Sequence, residues 1–106
     1  MAKQTGRIPR TKSIVILVRE HFDGYNTYFR ARGYVNGKLA EIIEYAYGYG
    51  SHGEYEMMKL LSENRHIQPI EKYSHGGTEA LHTYANRLKV GTALSDFVEV
   101  SAKKRL

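Results

Sequence analysis

Cysteine and tryptophan are absent from the 106 residues, and proline occurs only twice. Without cysteine there can be no disulfide, no thiolate-ligated zinc and no thiol nucleophile, so packing and hydrogen bonding must hold the fold. The same absence suits a reducing cytoplasm, and a cytoplasmic protein is the expectation. Long apolar runs are also missing. The longest, Ile14 to Val18, is far short of the roughly 20 residues a membrane helix needs. The opening MAKQTGRIPRTKS lacks the apolar centre of a signal peptide, so no membrane role is expected.

Acidic residues are absent from both ends. Residues 1–12 carry Lys3, Arg7, Arg10 and Lys12 without an acid, and residues 102–106 carry Lys103, Lys104 and Arg105 without one. The net charge of +5 therefore belongs to the ends, because residues 13–101 hold nine Lys or Arg against eleven Asp or Glu. The chain divides accordingly into a flexible basic arm (1–12), one domain (13–101) and a basic tail (102–106). A domain of that size can bury a modest core without a metal or disulfide.

The segment SIVILVRE is β-branched and apolar on both faces at its centre, which suits an interior strand. Asp23-Gly24 and Asn36-Gly37 each suit a type I′ hairpin turn, so a three-stranded antiparallel meander is expected. Two-residue loops would pair Phe22 with Tyr25 and Val35 with Lys38. One face would then hold Ile14, Ile16, Val18, Phe29, Ala31, Ala40 and Ile42. The other would hold Val15, Leu17, Arg19, Tyr28, Arg30, Arg32, Tyr34, Leu39, Glu41, Ile43 and Tyr45, with Arg32 beside Glu41 and Tyr28 beside Tyr45. Residues 38–47 also fit a helical stripe, but the Asn-Gly turn and the alternating tyrosines favour strand.

Farther along, Ser51 and Glu54 have the spacing of a capping box at the head of a helix of about 11 residues. RHIQPIEKYS contains Pro69 and reads as a loop or short edge strand. Leu81, Tyr84, Ala85 and Leu88 form the stripe of a second helix stopped by Gly91, and LSDFVEVS alternates as a last strand. The expected class is α+β, with the meander packed by two helices and one or two further short strands, in the order βββαβαβ.

This order resembles the ribonuclease H-like fold, which opens with a three-strand meander and then alternates helices and strands. The resemblance implies acids near Glu20 and Glu56, but its fourth-strand acid would fall in KYSHGG, which has none. Two carboxylates are too few to hold two divalent ions, so no nuclease activity is inferred and a degenerate hydrolase ranks last.

The remaining motifs carry little chemistry. The tripeptide SHG occurs at 51–53 and 74–76, so Ser51, His52, Ser74 and His75 are candidates for an anion site at helix starts. Capping and chance explain the repeat at least as well. His21, His52, His66, His75 and His82 show no metal-ligand spacing. No catalytic residue, metal or cofactor is expected.

Nine tyrosines are the unusual enrichment, six of them between Tyr25 and Tyr49. Alternating with arginine on a sheet face, they could stack bases while guanidinium groups meet phosphates. The expected binding face is Arg19, Tyr28, Arg30, Arg32, Tyr34 and Tyr45, helped by the basic ends. The expected function is non-enzymatic engagement of nucleic acid. The alternative is a protein-binding inhibitor or adaptor, such as a small phage or mobile-element accessory protein acting on a larger complex. Apolar residues on the same face require a cover, for which a second copy of the chain is one candidate.

Overall fold

The computed structural model describes residues 8, 10–47, 50–74 and 78–100. The β-branched segment forms β1 (Ser13–Phe22), followed by β2 (Thr27–Val35) and β3 (Lys38–Tyr47). Residues 38–47 are therefore strand. The second turn is the two-residue Asn36-Gly37 loop, with φ of 53° and 82° and Val35 opposite Lys38. The first turn differs from expectation: it spans Asp23–Asn26, so Phe22 pairs with Thr27 instead of Tyr25. Asp23 causes the longer loop, because its Oδ1 accepts from the backbone N–H groups of Tyr25 and Asn26 at 2.9 and 2.8 Å. The register slides by two residues. An even slide preserves side-chain parity, so the expected faces of β1 and β2 survive.

β3 departs more. Its register against β2 shifts between Phe29 and Ala31 and again between Gly33 and Tyr34, consistent with one extra β3 residue at each place. Glu41 now lies opposite Gly33 and Ile43 opposite Ala31, on the helix side, while Ile42 lies opposite Arg32 on the other face. The expected inward Ile42, outward Glu41 and Ile43, and Arg32–Glu41 pair are thus corrected. The first of these bulges sets Glu44 and Tyr45 both beside Arg30, and both are exposed.

α1 (Gly50–Glu63) and α2 (Leu81–Leu88) lie on one face of the sheet. α1 is 14 residues long and starts before Ser51, so Ser51 is not its N-cap. Glu54 instead serves the other helix, its Oε2 accepting from Leu81 N–H at 3.3 Å. α2 ends in Lys89, which takes the left-handed conformation expected of a glycine stop, two residues ahead of Gly91. The segment at 65–74, expected as a loop or short edge strand, takes part in one antiparallel bridge, Lys72 with Thr78.

β4 (Thr92–Glu99) lies beside β1 and parallel to it, giving the order β3-β2-β1-β4. Ile14, Ile16, Val18, Phe29 and Ala31 from the sheet meet Met57, Met58, Leu61, Ile67, Leu81 and Tyr84 in one core. The result is a small α+β domain with one helix layer on a mixed four-stranded sheet.

The layers meet closely at two glycines. A Cβ on Gly33 would stand 2.5 Å from Met57 Sδ, and one on Gly53 would stand 2.9 and 3.1 Å from the two Val18 methyls. Connecting residues are fixed by a buried carboxylate. Glu79 accepts from Arg87 Nη2 and Nε at 2.7 and 2.8 Å and from Glu71 N–H at 3.1 Å, and Arg87 also donates to the Pro69 carbonyl. The Arg87 hydrogen bond holds the Glu79 carboxyl below the ordinary carboxylate range, against the opposing effect of burial.

Two outcomes follow. Gly53→Ala, which normally gains up to about 1 kcal/mol in a helix, is expected to destabilise by about 1–3 kcal/mol, because the stiff Val18 side chain cannot yield. The urea midpoint measures this, and a higher midpoint than wild type would contradict it. Glu79 has a folded pKa below its unfolded value, so its contribution to stability is full above the unfolded pKa. It is lost as pH falls through the folded one. Stability measured from neutral pH down into the acid range should therefore fall less steeply in Glu79→Gln, which should start about 1–3 kcal/mol lower at neutral pH.

Candidate binding face

Helices cover only one side of the sheet. The other side is built from alternate residues: Val15, Leu17, Arg19 and His21 of β1 stand opposite Tyr34, Arg32, Arg30 and Tyr28 of β2. β3 adds Leu39, Ile42 and Tyr45, and β4 adds Leu94, Asp96 and Val98, placed beside Val15, Leu17 and Arg19. Among the described residues no element lies over this face. Leu17, Leu39, Ile42, Tyr45, Leu94 and Val98 are all exposed on it.

The polar half has definite geometry. The Tyr28 and Tyr45 rings stack with centroids 5.1 Å apart and planes 18° from parallel. Backbone pairing sets Tyr28 opposite Tyr47, and Tyr45, two residues back along β3 on the same face, stacks on it diagonally. Arg19 faces Arg30 directly across the β1–β2 ladder, an arrangement of like charge that strands usually avoid. Arg32, next but one along β2, is exposed. The face therefore gathers Arg19, Tyr28, Arg30, Arg32, Tyr34 and Tyr45, the six residues expected from sequence. Glu41 does not answer Arg32. Its Oε2 instead accepts from His66 Nε2 at 2.8 Å and Asn64 Nδ2 at 2.9 Å, tying β3 to the turn after α1.

Other candidates do not assemble. Glu20 turns to the helix side opposite Phe29, with Glu99 beside it on β4, while Glu56 is exposed on α1 and meets Lys59 at 3.4 Å. Among the described residues no three His, Asp or Glu are grouped to hold a metal ion. The two SHG tripeptides are not equivalent: the first lies in the first turn of α1, whereas Ser74 sits in an exposed turn seven residues before α2. The side chains of Ser51 and His52, and all of His75, lie outside the described residues. His21 Nδ1 donates to the Val100 carbonyl at 3.0 Å, which fixes the end of β4.

Of the basic ends, Lys3, Arg7, Lys103, Lys104 and Arg105 lie outside the described residues. Arg10 and Lys12 are exposed, but the backbone around them is tied down. Asn36 Oδ1 accepts from Lys12 and Ser13 N–H, its Nδ2 donates to the Arg10 carbonyl, and Ile8 and Thr11 are buried. Beside this clamp lies a cavity of about 440 Å³ lined by Val35, Asn36, Lys38, Leu39, Ala40, Arg65 and His66. Sequence reasoning missed it, because Arg65 and His66 reach the hairpin only through tertiary packing.

Comparison with protein-family models, curated proteins and solved structures finds no match. The chemistry of the open face is thus the ground for a functional reading.

Proposed function

We propose that this is a small, non-enzymatic cytoplasmic protein that binds single-stranded nucleic acid on the open face of its sheet. The observation that carries the reading is the stacked Tyr28–Tyr45 pair beside Arg19, Arg30 and Arg32, on a face over which no helix lies among the described residues. Aromatic rings on a sheet accept bases by stacking, at about 1–3 kcal/mol per base and with little regard to sequence. Guanidinium groups on the same face meet the phosphates between those bases. The two ends of the sequence carry seven cations and no acid around a nearly neutral body, a charge that favours attraction to phosphates.

A protein partner is the second reading, favoured by the exposed Leu17, Ile42, Leu94 and Val98 on the same face. A strand of bases would leave much of that apolar surface wet, whereas an inhibitor or adaptor docking on a larger complex would cover it.

Anisotropy of a fluorescent oligothymidylate of about 12 nucleotides, titrated at several salt concentrations, separates the two. Affinity should fall steeply with salt. Arg30→Ala and Tyr28→Ala should each weaken binding by about tenfold, and Arg30→Ala should also reduce the log–log salt slope by about 0.7. Absence of binding at low salt, or variants indistinguishable from wild type, would sink the nucleic-acid reading and leave the protein-docking one.

A further inference from the structure

The outer edge of β4 carries little of the usual strand-edge protection beyond the charges of Asp96 and Glu99. Among the described residues β4 hydrogen-bonds to β1 on one side only, and all eight of its residues are exposed. Leu94, Phe97 and Val98 are 54%, 48% and 44% exposed. Thr92–Glu99 contains no Lys, Arg or Pro, and its register with β1 runs without a bulge. Those are the devices by which edges ordinarily repel another strand.

Backbone hydrogen bonding shows which groups are available. Thr92 N–H donates to the Lys12 carbonyl and Val100 N–H to the Glu20 carbonyl, so even-numbered residues of β4 point their polar groups at β1. In a parallel pair the intervening residues point theirs away. Ala93, Ser95, Phe97 and Glu99 therefore present a row of N–H and C=O groups to whatever lies beyond.

We infer that this edge is occupied by β4 of a second copy, making an antiparallel, two-fold symmetric dimer with one continuous sheet of eight strands. The inference stands apart from the nucleic-acid reading. The β4 edge is self-complementary. A two-fold axis perpendicular to the sheet must pass through a single residue position, because facing residues must share a face. Centring on Asp96 would set two carboxylates against each other. Centring on Phe97 would leave Thr92 and Ala93 without partners in the opposite strand.

Centring on Ser95 pairs Thr92–Val98 with the same stretch of the second copy and leaves only Glu99 facing a residue outside β4. Ser95 meets the partner's Ser95, Ala93 meets the partner's Phe97 on the helix side, and Thr92 meets the partner's Val98 on the open side. Leu94 then lies beside the partner's Asp96, so no two like charges coincide. About six backbone hydrogen bonds form, all from the outward-pointing residues. The strip buried is on the order of 800–1,000 Å² in total, at the low end of specific interfaces.

The test uses the intact chain. Sedimentation equilibrium from about 1 to 200 µM should show a monomer–dimer equilibrium. Ser95→Pro removes one outward N–H at an edge, where proline is tolerated. It should weaken the dimer by about tenfold or more while the urea midpoint stays near that of wild type. Because the chain has no cysteine, Ser95→Cys introduces a single thiol, placed about 5.5 Å (Cα to Cα) from its symmetry mate, within disulfide reach. Mild oxidation should cross-link it into a covalent dimer, whereas Thr92→Cys, far from its own mate, should form no cross-link. A chain that stays monomeric at every concentration, as it would if its own residues or a foreign strand took the edge, overturns the inference. So does a dimer that Ser95→Pro leaves intact, or equal cross-linking of the two cysteine variants.

Discussion

The structure depends on how closely α1 lies against the sheet. Gly33 on β2 admits the Met57 side chain into the space where a Cβ would be, and Gly53 on α1 rests its backbone on Val18 and Phe29. With both glycines the helix buries Met57, Met58 and Leu61 directly on the two central strands. A domain of this size has little apolar area to spare, and a gap of one methyl group between layers would forfeit much of the contact. The glycines do here what extra core volume does in a larger protein.

The tight layer has an asymmetric consequence. α1 and α2 close one side of the sheet, and the chain supplies no second layer among the described residues. The second side therefore keeps Leu17, Ile42, Leu94 and Val98 exposed next to the arginines and tyrosines. β4 shares this condition on its free edge. Both surfaces suit partners for the same reason: the fold is a half-sandwich whose core is complete while its sheet is not.

Much of this was legible in the sequence. Asn36-Gly37 named its turn because both residues accept positive φ, and the SIVILVRE segment named the central strand because both its faces were apolar at its centre. The six polar residues of the open face followed from parity alone, which even the unexpected four-residue Asp23 loop did not disturb. What parity could not supply was the pair of bulges in β3. KLAEIIEYAY carries apolar residues at Ile42 and Ile43 together, so either could face inward, and the choice was made by packing on α1 and by Glu41 reaching His66 and Asn64. The Ser51–Glu54 spacing misled for a related reason: a carboxylate one turn into a helix can serve any nearby donor, and here it serves Leu81. Lys89, in the conformation a glycine stop would take, carried no local signal at all.

The placement of β1 bears on how the chain acquires its shape. It is the first strand in sequence yet an inner strand of the sheet, and the partner on one of its sides comes from the far end of the domain, with Ser13 beside Thr92. The hairpin partner can form within a few residues of β1, while the parallel partner requires a long loop to close first, with helices and the Glu79–Arg87 lock interposed. Until that closure, β1 is itself an open apolar edge. The order of assembly is therefore built into the topology: meander and α1 from local contacts, then β4 as the last strand to dock.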